Sequence, residues 1–249
     1  MNTLVIAGRE LRSIFDSTVG WLVLAGFLFV TGIFWAAYVS IYAINSTEAL
    51  ANPYATYQMS FADYLFMPFF LNTSIVLMML CPAVSMRLFS EEIKEHTIEL
   101  LLTSPVGTLD IVLGKFLGAL GFVGVMLLAT SAGPLMLWLW ASPNLGEIAG
   151  GYLALFLVAA AMLSMGMFFS SMTSNQIVAV VWTFAASLAL FAMAWNQDTD
   201  SVLYRYALES NYSDLLSGLV YVSHLVYFLA FVGFFVFATW QRVESFRWS

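Results

Sequence analysis

Carboxylates gather in one place in this sequence. The stretch SEEIKEHTIELLLTSPVGTLDIVLGK, residues 90–115, carries Glu91, Glu92, Lys94, Glu95, Glu99, Asp110 and Lys115, with His96 among them. The chain as a whole is 61% hydrophobic and only 9% charged, so this concentration asks for a chemical reason. On a helix at about 100° per residue, Glu91, Glu92, Glu95 and Glu99 fall within roughly 100° of one another. Phe89, Ile93, Thr97 and Leu100 occupy much of the other side. Glu91–Glu95 and Glu95–Glu99 are like-charge pairs at i,i+4, which weaken an isolated helix by a few tenths of a kcal/mol each. Lysines or arginines on a partner would relieve that repulsion, so one chemistry for the stripe is ionic docking. A solvated loop helix is the plainer alternative. Ser104 before Pro105, followed by Gly107, ends the helix and turns the chain.

Other chemistry lacks its parts. LGKF at 113–116 looks like the tail of a phosphate-binding loop, but the pattern needs Gly at 109 and Ser or Thr at 116, where the chain has Leu109 and Phe116. Cys81 is the single cysteine, which rules out an intrachain disulfide and gives no basis for a zinc cluster; it reads as a small buried residue. No H-E-x-x-H or G-x-S-x-G motif occurs. His224 is the one clear ionisable residue within an apolar run, and a proton relay needs acids beside it. A net charge of −7 without a basic stripe excludes a nucleic-acid partner.

The elements that must position the acidic stripe are membrane helices. Soluble domains carry about 25% charged residues, and this chain has far fewer. Apolar runs of 18 or more residues recur, each long enough to cross about 30 Å of hydrocarbon as a helix. Six spans are expected, at 20–44, 67–86, 111–140, 148–171, 176–195 and 217–240. Placing four glutamates at mid-membrane would cost more than about 10 kcal/mol, so residues 90–99 must lie outside the bilayer. With the N-terminus in the cytoplasm, that side holds Arg9, Arg12, Arg87, Lys94, Lys115, Arg242 and Arg247, against Arg205 opposite. The bias puts both termini in the cytoplasm. Two acidic, aromatic connections then face outward, one between the first two spans and one at 195–217. Ser174 or Asn175 can cap the fifth span. Gly114, Gly118, Gly121 and Gly124 form a small-residue helix face, with GxxxG spacing at 114–118 for close helix packing.

MRLFSEEIKEHTIELLLTSPVGTLDIVLGKFLGAL at 86–120 resembles the first cytoplasmic loop of ABC-2-type ABC transporter permeases, most closely the gliding-motility-associated permease family GldF. FFSSMTSNQIVAV at 168–180 and ELRSIFDSTVGWLVLAGFLFVTGIF at 10–34 are similar to two further regions of that family. The resemblance implies an all-α fold of six membrane helices in a single transmembrane domain over 1–249, with an elbow helix at 1–18 and a coupling loop at 88–110. Phe89 through Leu102 would be the coupling helix, docking on a separately encoded ATPase through Phe89, Glu91, Glu92, Glu95 and Glu99. Ser104, Pro105 and Gly107 would fix its exit. Arg9 and Arg12 would lie beside lipid phosphates at the inner leaflet, and the SMTSN turn would be a second ATPase contact. His96 departs from the family, which has Gly before the T-x-E element, and this counts against a flexible break there.

The resemblance further implies a permease subunit of an ATP-driven exporter in the bacterial inner membrane. The chain itself would bind no cofactor, since ATP and magnesium belong to the partner ATPase. Other implied partners are a second permease copy or a related permease, membrane lipid, and a periplasmic-domain subunit of the GldG type. Two other classes stay open on the residues alone: a membrane anchor or scaffold that moves nothing, and a channel, which is disfavoured because no polar ring lines any span.

Overall fold

A computed structural model describes residues 2–51, 60–98, 106–141, 143–193, 207–216, 218 and 221–247. Helices account for nearly all of them, and no strand occurs among the described residues. In chain order they are α1 (Asn2–Asp16), α2 (Thr18–Ala51), α3 (Met67–Ser85), α4 (Arg87–Lys94), α5 (Thr108–Thr130), α6 (Ala132–Ala141), α7 (Leu145–Met172), α8 (Gln176–Ala192), α9 (Leu208–Leu216) and α10 (Val222–Ser245). A π-helical turn at Ala62–Phe66 leads into α3.

Among the described residues, five helical stretches are long and apolar enough to cross a membrane: Thr18–Glu48, Ala62–Lys94, Thr108–Trp138, Leu145–Met172 and Val222–Ser245. The stretch expected as the fifth of six spans is the apolar helix α8, 17 residues long, which reaches about 26 Å at 1.5 Å per residue. Its capping residue is Asn175, whose Oδ1 accepts from the Ile177 N–H at 3.0 Å.

Burial orders the bundle. In α7 72% of the most apolar window is buried, against 11% in α2 and in α10. So α7 is the central post, while α2 and α10 present most of their apolar surface outward, as lipid contact requires. Small residues on α7 let α3 approach closely: a Cβ on Gly151 would overlap the Phe70 ring, and one on Gly166 would overlap Ser85 Oγ.

The stretch 195–217, expected as an external connection, contains a packed helix. Residues 195–206 lie outside the described residues, but α9 buries Leu208, Tyr212, Leu215 and Leu216 against the bundle. The Tyr212 hydroxyl lies 3.0 Å from Ser74 Oγ on α3. The spacing i, i+4, i+7, i+8 is a helical apolar stripe, which the neighbouring acids Glu209 and Asp214 disguise in the sequence.

Candidate functional site

The end of the bundle that carries α1 also carries the described lysines and arginines, and its organisation starts with two glycines. Gly114 and Gly118, one GxxxG step apart on α5, are where α1 crosses. A Cβ on Gly114 would stand 2.6 Å from Ile6 Cγ2, and one on Gly118 would stand 2.7 Å from Glu10 Cβ and 3.0 Å from the Ala7 carbonyl. Only glycine allows this approach. Gly121 and Gly124 serve less, since a Cβ there would make ordinary contacts with Leu11 at 3.7 Å and Phe156 at 3.9 Å. The glycine face therefore receives the N-terminal helix along its first half. Thr3 on α1 also donates from its hydroxyl to Asp110 at the start of α5.

Lys115 sits between the two glycines and is 2% exposed. Its ammonium is 2.7 Å from Glu92 Oε1 on α4 and 3.5 Å from Glu10 Oε2 on α1. It also lies 5.4 Å from the centroid of the Phe89 ring. One buried cation thus ties three helices together. Burial of an ammonium is tolerable only with such partners, and two carboxylates around one cation make the hub acidic by one charge.

The joint between α3 and α4 is held from a third direction. Ser170 Oγ on α7 accepts from the N–H groups of Phe89 at 3.1 Å and Ser90 at 3.0 Å. The same hydroxyl donates to the Met86 carbonyl at 2.7 Å. In an unbroken helix those two N–H groups would bond to residues 85 and 86 instead. Ser170 therefore replaces backbone bonds where α3 bends into α4. The far end of α10 joins the layer through Thr108, which donates to Glu244 and accepts from Trp240 Nε1 at 3.1 Å.

The helix α4 is shorter than the sequence predicts. Expected over Phe89 through Leu102, it ends at Lys94. His96 adopts φ of +57°, the left-handed region. His96 N–H bonds to Ile93 O at 3.3 Å and Thr97 N–H to Glu92 O at 3.0 Å, which is the Schellman pattern of helix termination. The break that Gly would supply thus occurs with histidine in its place.

That geometry sorts the acids expected to share one face. Glu91 and Glu95 are exposed, whereas Glu92 turns inward to Lys115 and Phe89 is 1% exposed within the core. Of the residues expected to dock, Phe89 and Glu92 are held by their own chain, to which they anchor α4. The reason is rotational, because Leu88 and Phe89 are the buried anchors and Glu92 lies four and three residues beyond them. Glu99, Ser104 and Pro105 lie outside the described residues. Gly107 is in extended conformation at the N-cap of α5, with φ of −65° and ψ of 140°. Arg9 and Arg12 are exposed on α1, and Leu4 and Val5 are exposed nearby. Lys115, Glu10 and Ser170 escaped the sequence reading as site residues. No grouping of three or more potential metal ligands occurs among the described residues.

A bundle of long apolar helices around a buried post, with its described lysines and arginines gathered at one end, defines a multi-pass membrane protein. The family profile described as ABC-2 family transporter protein matches residues 4–238, nearly the whole chain, and the chain belongs to that family. Membership makes it a membrane permease subunit of an ABC transporter and implies an ABC ATPase as its partner. No curated protein matches the sequence.

Proposed function

We propose that this permease couples ATP hydrolysis by a separate ATPase subunit to the export of a substrate, or to transmitted force, through α4 and the loop that follows it. The observation that carries the reading is the division of α4 into two faces. Glu91, Lys94 and Glu95 face out, while Phe89, Ser90 and Glu92 are fastened to α5, α7 and α1. A displacement applied to the outer face has nowhere to dissipate, because Lys115 and Ser170 pass it to three helices. The Lys and Arg distribution supports a cytoplasmic position for this end, with both termini, in a bacterial inner membrane. The broad apolar faces of α2 and α10 are available for a second permease copy or a related permease. The finer likeness to gliding-associated permeases rests on the three quoted stretches, and it assigns neither motility nor a GldG-type partner.

The test is co-purification with the cognate ATPase after changing Glu91, Glu95 and Glu99 together to Lys. We expect the complex to be lost while the permease still folds and inserts. Retention of the complex with undiminished ATPase stimulation would refute the docking assignment.

A further inference from the structure

A cavity of about 250 Å³ opens between α1, the start of α2 and the α3–α4 joint. Its polar side is formed by Arg87, Ser13, Ser17, Glu10 and Glu91, and its apolar side includes Ile14, Val19, Val23, Val84 and Phe122. Arg87 Nη1 donates to Ser17 Oγ at 3.3 Å. Its Nε is buried and has no hydrogen-bonding partner among the described residues. A guanidinium N–H left so is costly, and this one belongs to a side chain that lines a cavity with hydroxyls beside it. Arginine in that setting is suited to phosphate oxygens, which take two of its donors at once.

The rest of the lining narrows the ligand. Glu91 adds an acid at the exposed rim, and Glu10 is already engaged by Lys115. A purely anionic group would meet Arg87 with Glu91 opposing it. A zwitterion that carries a phosphate and an ammonium matches both. Pockets for drug-sized ligands run from about 300 Å³ upward, so this volume fits a small head group better than a whole lipid. The apolar wall includes Val19 and Val23 at the start of α2, where acyl chains would continue into the bilayer, and Trp21, 57% exposed, marks the same level.

We propose that this cavity binds one phospholipid with a primary-ammonium head group, of phosphatidylethanolamine chemistry. Arg87 and Ser17 hold the phosphate, Glu91 receives the ammonium, and the chains lie along Val19, Val23 and Val84. The site lies between the elbow helix and the joint of the coupling helix, so an occupied cavity would brace the two against each other. The proposal does not depend on ATPase docking and is tested without that subunit.

The experiment is native mass spectrometry of the purified full-length permease, offered phosphatidylethanolamine, phosphatidylglycerol and phosphatidylcholine at equal concentration. One phosphatidylethanolamine should be retained with about tenfold preference over the other two, the scale of one charge-assisted contact. Arg87→Gln should lower retention about tenfold, and Glu91→Gln should retain lipid while losing the preference over phosphatidylglycerol. Val84→Phe, which fills the apolar side and leaves Arg87 in place, should also expel the lipid and serves if Arg87→Gln does not fold. Equal retention of all three lipids by the unaltered protein, or undiminished retention in Arg87→Gln or Val84→Phe, would overturn the proposal. So would displacement of the lipid by millimolar inorganic phosphate alone, which would make free phosphate the ligand.

Discussion

Replacing Lys115 by Met removes the cation and keeps the unbranched stem of the side chain up to Cε. At an effective dielectric of about 20, an ammonium 2.7 Å and 3.5 Å from two carboxylates gains about 6 and about 5 kcal/mol of Coulomb energy. Desolvation of all three groups and repulsion between the acids cancel most of that gain. What survives is the asymmetry: with Lys115 gone, Glu10 and Glu92 face each other with side chains only 17% and 18% exposed. Removing one member of a buried ion pair costs about 3–5 kcal/mol, and the residual exposure favours the lower end, about 3 kcal/mol. That is more than about a hundredfold in the ratio of folded to unfolded protein. The assay is denaturant unfolding of the purified protein in micelles, followed by tryptophan fluorescence. The triple variant Lys115→Met, Glu10→Gln, Glu92→Gln removes every charge of the hub and should recover to within about 1 kcal/mol of the parent. If the single variant is as stable as the parent, or the triple variant is no better than the single, Lys115 is not a structural hub.

Two further outcomes follow from local geometry. Gly118→Val should push α1 off α5, at a cost of about 1–3 kcal/mol, and should expose the N-terminal helix to limited proteolysis, whereas Gly124→Ala should do neither. His96→Gly should relieve the left-handed backbone and stabilise the end of α4 by about 1 kcal/mol, read as slower hydrogen exchange at the amides of His96 and Thr97.

Much of this was legible in the sequence, and the exceptions share a cause. Apolar runs and the lysine and arginine bias carry helix positions and the charged end, because membrane cost acts on each residue separately. A helical wheel gives relative angles, not which angle faces the core, so it groups Glu92 with Glu91 and Glu95. Leu88 and Phe89 fix that rotation, and they bring Glu92 inward. Lys115 reads as one more positive charge at a membrane edge until Glu10, more than a hundred residues away, is brought beside it. The glycine face was legible as a packing surface, yet its partner, the N-terminal helix, was not. Nothing in Ser170 itself signals that its hydroxyl replaces helix bonds of another segment.

Ser170 also limits what this end of the molecule can communicate. Its hydroxyl meets three backbone groups at the α3–α4 bend and lies only a few residues before the Thr173–Asn175 turn that joins α7 to α8. The bend and that turn are therefore mechanically one body. An ATPase that touched both would be gripping a single rigid lever at two points, and the permease would register torque about the Ser170 clip instead of two separate signals.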